Sequence, residues 1–452
     1  MKKENPEIPK IPYFLLRKTY LLDLNEEYTG DIQEEFFEIQ ETKGRFRAKL
    51  WIWHHAVISL IITFKYLIIW RGIMFNNYLK VILRNLKKNK LYSFINISGL
   101  AIGLAASILI ILWIQDELSY DKFHKNYKNI YRVVEVWKQN TGLYRSIATT
   151  PHPLGPALEK SFPEVKKAVR FIFRGQPLLR YKEKSYYEPK ICAADSNFFK
   201  MFSFPILKGD PDAVLKHLNS LVITQSMAKK YFGHEDPIGK VITMNDKYQF
   251  KVEGLIKDVP PNSSFQFDFV INLKLLNDRG LTNRWVDHMY YTYIQLQENT
   301  DIQSFQEKIT NVVNDSGMNN SNIALNIQPI KDIHLRSDFA NDFTGHSKKK
   351  AFYIYIFLII AIAIILMACI NFMNLATAQS AKRAKEIGLR KVIGAQKSQI
   401  LRQFYHESFL LTGCALLLAL LLIYLVLPEF NVVTRKIFSM NHLLNPTIVI
   451  AL

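Results

Sequence analysis

Cysteine is scarce in this chain of 452 residues, with three in all. Cys369 and Cys414 fall inside hydrophobic runs and Cys192 stands alone in a polar region, so no disulfide can staple that region. Neither CxxC nor HExxH occurs, and no two histidines stand four apart, so no metal site is expected. There is no nucleophile elbow. The adjacent acids Asp116/Glu117 and Glu26/Glu27 read as solvated faces rather than acid–base pairs. An enzyme reading therefore has no motif behind it, and no cofactor is expected. The segment Gly233–Lys240 (GHEDPIGK) is a decoy: five residues separate its glycines and Val241 follows the lysine. A phosphate-binding loop needs four residues there and then Lys-Ser/Thr, so that backbone amides and the lysine close round the phosphates. The N-terminus is polar and acidic and does not read as a cleavable signal peptide.

The most informative absences are of charge. Residues 351–370 and 409–427 contain no charged side chain, and Pro428 stops the second run. Each approaches the roughly 20 residues a helix needs to cross the hydrocarbon of a bilayer. Helix is the state that satisfies every backbone amide there. Residues 94–114 form a third such run, with Asn96 and Ser98 near its start. Within it Gly99 and Gly103 form GxxxG with Ala106 below. Such a small-residue face lets helices approach closely, and dimerisation through it is one reading.

Acid is missing where bases crowd. Residues 71–92 carry Arg71, Lys80, Arg84, Lys87, Lys88 and Lys90 and no acid. Residues 378–402 carry Lys382, Arg383, Lys385, Arg390, Lys391, Lys397 and Arg402 against Glu386 alone. Both stretches abut hydrophobic runs, so much of the net charge of +19 reflects the positive-inside rule and not a nucleic-acid-binding face. The two basic stretches are then cytoplasmic and the long polar region between spans lies outside. Lys348, Lys349 and Lys350 sit on the wrong side, but long domains translocate largely regardless of charge.

The fold class expected is a membrane protein: an α-helical transmembrane bundle with a large α+β extracytoplasmic domain inserted between the first and second spans. A cytoplasmic prefix domain covers 1–48 and interfacial amphipathic helices 49–92. Spans follow at 93–115, 350–377 and 402–427, with the outer domain over 116–349 and a cytoplasmic segment over 378–401. An outer loop covers 428–445, and 446–452 begin a fourth span. Residues 50–70 read as an amphipathic helix lying on the membrane, because Lys65 would be costly at mid-bilayer; a true span is the alternative. In the outer domain, strand-like runs at Ile130–Val136, Leu221–Thr224, Lys240–Met244, Tyr248–Ile256 and His288–Gln297 alternate with helical stretches at Leu154–Ser161 and Gln225–Phe232. In the cytoplasmic segment, Gly388 and Gly394 frame LRKVI and permit two sharp changes of direction. A short helix held there between two spans is a rigid handle that a cytoplasmic partner could push.

The sequence resembles the MacB/FtsX-type permeases of ABC transporters, in a Bacteroidota-like form with an N-terminal permease prefix domain. The resemblance rests on NNYLKVILRNLKKNKLYSFINISGLAIGLA (76–105), DELSYDKFHKN (116–126), IYRV (130–133) and AADSNFFKMFSFPILKGDP (193–211). It continues in AKKYFGHEDPIGK (228–240), GLIKDVPPNSSFQFDF (254–269) and NFMNLATAQSAKRAKEIGLRKVIGA (371–395). It implies a MacB-like periplasmic core domain at 116–349 and a permease subunit that works with a separate cytoplasmic ATPase. The contact with that ATPase would fall on Lys382, Arg383, Glu386, Gly388, Leu389, Arg390, Lys391 and Gly394; anchoring to anionic lipid is the plainer reading of the same residues. A second permease copy or homologue, membrane lipid and a periplasmic adaptor are the further partners implied, with nucleic acid excluded. The implied place is the inner (cytoplasmic) membrane, and the role is export of a substrate of the antimicrobial, peptide or lipoprotein class. The family also implies an alternative, a regulatory or sensory protein controlling cell-wall enzymes or antibiotic signalling. Relatives of this form usually continue into a second repeat, so the chain reads as truncated after the first.

Overall fold

The computed structural model describes residues 8–19, 27–61, 90–139, 141–277, 284–315, 322–343, 348–382, 384–394 and 396–444. The expectations for residues 62–89, Arg383 and 446–452 lie outside the described residues. The chain divides into two compact units, Met1–Ala101 with Ile370–Leu418, and Ile102–Cys369 with Ala419–Leu452.

The first unit opens with three helices, α1 (Lys10–Thr19), α2 (Glu27–Lys43) and α3 (residues 45–61). Gly44, at φ +89°, makes the left-handed turn that reverses the chain between α2 and α3. Their apolar faces close on one another through Leu16, Ile32, Phe36, Ala48, Ile52 and Ala56. The boundary expected after residue 48 therefore falls inside an element. Residues Ile52 and Ala56 belong to the prefix core because their spacing puts them on the same turn-face as Ala48.

Three helices of the described chain are long and apolar enough to cross a membrane: α4 (Lys90–Ser119) and the stretches Ala351–Gln379 and Ile400–Thr434. Gly103 of α4 has no room for a side chain, since a Cβ there would lie 2.8 Å from the Cβ of Ala368. A Cβ at Gly99 would likewise lie 3.1 Å from the Asn371 side-chain nitrogen, and the Ser107 hydroxyl donates to the Ala361 carbonyl at 3.3 Å. The small residues of the GxxxG pattern are thus occupied by another helix of the same chain.

The second unit holds the mixed domain. Its strands are β1 (Ile130–Lys138), β2 (Tyr144–Ile147), β3 (Thr150–Pro151), β4 (Val165–Arg174), β5 (Leu178–Tyr181), β6 (Lys184–Tyr187) and β7 (Ile191–Ala194). They continue as β8 (Ile206–Lys208), β9 (Ser220–Thr224), β10 (Val241–Met244), β11 (Tyr248–Ile256), β12 (Phe269–Asn272), β13 (His288–Leu296) and β14 (Ile323–Pro329). The main path runs β14-β1-β13-β4-β7-β12-β9-β11-β10-β5-β6. Pairing is antiparallel except for β9 with β11 and β7 with β12. Its described helices are α5 (Leu154–Ser161), α6 (Phe198–Met201), α7 (Gln225–Phe232), α8 (Lys274–Asn277), α9 (Ile302–Ile309), α10 (Val312–Asp315) and α11 (Ile330–Arg336).

The core beneath β4, β7 and β13 is rich in rings: Phe171, Phe198, Phe202, Phe265 and Tyr293 are buried together. Phe171 meets Phe265 edge-on, with centroids 5.4 Å apart and planes at 86°. Edge-to-face pairs of this kind add to what burial alone supplies. Cys192, on β7, is buried in the same cluster, and burial pushes its thiol well above the usual range.

Candidate functional site

The helix α12 (Lys348–Lys382) is followed by α13 (Ala384–Val392) and α14 (Lys397–Thr434). The expected handle is therefore α13. Lys382 closes α12, Arg383 is outside the described residues, and Glu386, Gly388, Leu389, Arg390 and Lys391 all lie on α13. Gly388 corrects the expectation. It sits inside the helix, with nothing within 4 Å of where a Cβ would be, so it makes no turn. Only Gly394 does: at φ +95° it ends the segment, its N–H donating to the Lys391 carbonyl at 3.1 Å. The C-terminal end of this segment shows hydrocarbon to its surroundings: Leu389 is 62% exposed, Val392 86% and Ile393 77%. Lys391 is exposed beside them.

A second constellation lies in the other unit and was misread in sequence. Asp116 and Glu117, expected on a solvated face, end α4 in a buried knot. Pro428, expected to stop its run, instead lies inside α14, which continues to Thr434 and takes up the start of the expected outer loop. A proline removes one helical N–H but need not end a helix whose neighbours hold it. Beyond Thr434, Arg435 adopts φ +55°, and the Lys436 N–H returns to the Asn431 carbonyl at 3.1 Å. The Asn431 side chain then accepts from the Phe438 N–H and donates to its carbonyl, both at 2.9 Å. This left-handed helix end aims Lys436 at α4. Its ammonium lies 2.5 Å from Asp116 Oδ2, 2.9 Å from Glu117 Oε1 and 2.9 Å from the Tyr120 hydroxyl.

Glu117, which its bonds to His334 and Lys436 keep ionised against the cost of burial, also accepts from His334 Nε2 of α11 at 2.7 Å, and the His334 ring stacks on Tyr120 at 3.4 Å. Burial alone would lower the Lys436 pKa, but its bonds to Asp116, Tyr120 and Glu117 outweigh that and hold it well above the usual lysine range. The knot therefore stays charged. It ties the end of α4, the domain helix α11 and the segment after α14 into one body. Sequence reasoning missed Lys436 and His334 because nothing local marks them; the only signal was DELSYDKFHKN.

The domain's other connection is latched too. Arg132, on β1, forms a two-bond ion pair with Asp342 (3.0 and 2.9 Å), and both side chains are fully buried. The guanidinium also donates to Gln328 and to Ser337, each at 2.7 Å. Ala340 bridges to Ser146 and Ala148 through backbone bonds at 2.9 Å, and Phe343 packs against Phe171 and Tyr291. The chain thus leaves the domain toward α12 through a fastened segment.

Beside the knot, Asp121 sits at φ +57° and is fully buried, accepting from the Ser264 N–H at 2.8 Å. Burial raises its pKa to about 6 against the pull of those bonds. His124, ringed by Phe123, Phe202, Phe204 and Phe265, is held to about 3 by burial and is neutral; its Nδ1 accepts from the Ser203 N–H at 3.1 Å. Among the described residues no group of three or more His, Cys, Asp or Glu side chains could hold a metal ion.

Two family patterns match the chain, the MacB-like periplasmic core domain over residues 93–312 and the FtsX-like permease C-terminal region over 358–452. An uncharacterized ABC transporter permease, YknZ, of Bacillus subtilis is 28% identical over 193 residues, 42% of this chain and 44% of its own length. A macrolide export ATP-binding/permease protein, MacB, of Campylobacter fetus is 26% identical over 363 residues, 77% of this chain and 52% of its own. The chain thus spans about half or less of the length of these relatives. Among solved structures, the periplasmic region of MacB from Actinobacillus actinomycetemcomitans covers 47% of this chain and 95% of its own, at TM-score 0.35 and 13% identity. The extracellular domain of the YknZ transporter from Gram-positive bacteria covers 44% and 100%, at TM-score 0.34 and 16% identity.

Proposed function

The chain belongs to the MacB/FtsX-type permeases of ABC transporters, and from that premise we propose that it is the non-catalytic membrane subunit of an ATP-driven exporter in the inner (cytoplasmic) membrane. In this reading a separate ATPase subunit pushes on α13, and the spans carry the displacement to the outer domain. That domain then expels a substrate of the antimicrobial, peptide or lipoprotein class. A second permease copy or homologue completes the translocating pair, lipid surrounds the spans, and a periplasmic adaptor extends the path outward.

The observation that carries this is the knot at Lys436. A domain that merely decorated a membrane anchor would need one flexible tether. Here three elements distant in sequence meet in one cluster, Lys436 pairing with Asp116 and Glu117 and Glu117 in turn with His334, and the second exit is held by Arg132 and Asp342. Displacement of α4 or α14 would therefore move the domain without slack. The exposed apolar end of α13 supports a protein contact over lipid anchoring by charge alone, since Val392 and Ile393 add no charge.

Co-purification from native membranes, scored for an ABC ATPase, tests the cytoplasmic half. Charge reversal at Arg390 and Lys391, or Val392→Asp with Ile393→Asp, should cut ATPase recovery at least tenfold; unchanged recovery sinks the contact. Lys436→Met should leave recovery intact while abolishing any ATP-driven change in distance between labels on two outer domains.

A further inference from the structure

The prefix helices bury one face of α3 and leave a second, equally apolar face open. Ala48, Ile52, Ala56 and Ser59 point into the unit. Phe46, Leu50, Trp53, Val57 and Ile61 do not: they are between 44% and 78% exposed. At 3.6 residues per turn these five fall in one stripe about 80° wide, clear of the buried face. A stripe of this length is not scattered surface hydrophobicity.

Its borders are basic. Lys49 flanks one side, Arg47 and His54 the other, and all three are exposed. Residues 45–92 hold no acid at all, whereas α2 carries Asp31, Glu34, Glu35, Glu38 and Glu41. The helix that bears the stripe is thus purely basic, with Arg45, Arg47 and Lys49, whereas α2 is the acid-rich helix of the unit. Long basic side chains can lay their stems along hydrocarbon while the charge stays at headgroup level, and tryptophan favours the same depth.

We propose that the three-helix prefix unit docks on the anionic cytoplasmic leaflet through this face of α3, with Phe46, Leu50, Trp53, Val57 and Ile61 sunk among the acyl chains. The charge pattern selects lipid as the occupant. The phosphates of an anionic leaflet complement Arg47 and Lys49 and repel the acids of α2, which orients the unit. Apolar side chains supply the adhesion and bases set its direction, the arrangement of a helix lying in the membrane plane. The role of the α2 and α1 helices is then to cover the other face of α3, so that it neither inserts nor aggregates. This goes beyond the permease reading and survives or fails independently of it.

The test is depth measurement on the full chain in lipid nanodiscs. The three native cysteines are replaced, and single nitroxide labels are placed at positions 50, 53, 57 and 61 on the stripe and at 34 and 38 on α2. Exposed positions tolerate the substitution without touching the core. With one-fifth anionic lipid, the four stripe labels should share one shallow depth, relaxed by oxygen at least fivefold more than by a water-soluble nickel chelate. Positions 34 and 38 should show the reverse. In wholly zwitterionic discs the stripe labels should become more accessible to nickel. Depths that increase steadily from 50 to 61 would overturn the proposal in favour of a span. Labels shielded from both relaxants, or broadened by a neighbouring label, would overturn it in favour of a protein cover or a second copy.

Discussion

The mixed domain and the helix α13 invert each other's chemistry. In the domain, polar groups are hidden: Arg132 and Asp342 meet without solvent, Asp121 is buried against Ser263 and Ser264, and neutral His124 sits among phenylalanines. On α13, hydrocarbon is displayed, with Val392 and Ile393 largely bare. A buried charge is tolerable only where every partner is fixed, so the domain must be rigid to exist as it does. A bare apolar helix end gains nothing from burial among the described residues of its own chain. One region is closed on itself, and the other is open by construction.

The sharpest way to break this contrast is to unpair the hidden charge. Arg132→Ala strands Asp342 in the core and should cost about 3–5 kcal/mol, read from denaturant unfolding of the solubilised chain. Replacing both partners by Met and Leu should recover most of that. A recovery no better than the single variant would mean the pair serves more than neutrality.

Acidity gives the next largest effect. Asp121 has a folded-state pKa raised to about 6, so its protonation favours the fold: its contribution is complete below about 4 and is lost as pH rises through 6. His124, depressed to about 3, acts oppositely, its contribution being complete above about 6.5 and lost as pH falls toward 3. Between pH 6 and 4 the two slopes oppose. Asp121→Asn removes one, so relative to the parent chain the variant should lose about 1.4 kcal/mol of stability for each pH unit by which the pH falls through that window. Parallel stability curves for the two proteins would contradict the buried-acid geometry.

On the open side, glycine substitutions separate the two positions. Gly394→Ala forces a side chain into a left-handed conformation and should cost about 1 kcal/mol locally. Gly388→Ala, inside a helix with free space around it, should instead firm α13 by roughly 0.5–1 kcal/mol, visible as slower amide exchange over Ala384–Val392. The smallest change is Arg435→Gly. It relieves a non-glycine residue at φ +55° and should raise stability by about 0.5 kcal/mol while leaving the Lys436 knot intact.

Local pattern was legible to different depths in the two regions. Tyr248–Ile256, Leu154–Ser161 and Gln225–Phe232 are elements with the ends their periodicity suggested, because alternation and helical spacing are carried by neighbouring residues. Strand β4 was less visible, since Lys166, Lys167, Arg170 and Arg174 interrupt its apolar alternation. The sheet order was not readable, as it depends on pairings across more than a hundred residues. The knot failed for the same reason: Glu117 meets a histidine and a lysine that lie hundreds of positions away. Two neighbouring acids look alike whether water or a distant lysine awaits them. The α13 residues could be singled out because their clue, bases massed beside a span, is local; what their side chains touch is not.

Cys192 draws a last consequence from the ring-packed core. Its strand lies between β4 and β12, and its thiol is sealed in the aromatic core and kept protonated by burial, so it is a poor nucleophile while the domain stays folded. A domain with one silent thiol needs no oxidant and no isomerase to mature, and it cannot be cross-linked through sulfur to its neighbours. Its fold is indifferent to the redox poise of whichever compartment it enters. An alkylating reagent should find Cys192 only as fast as the aromatic core opens, which makes that single sulfur a built-in clock for the domain's unfolding.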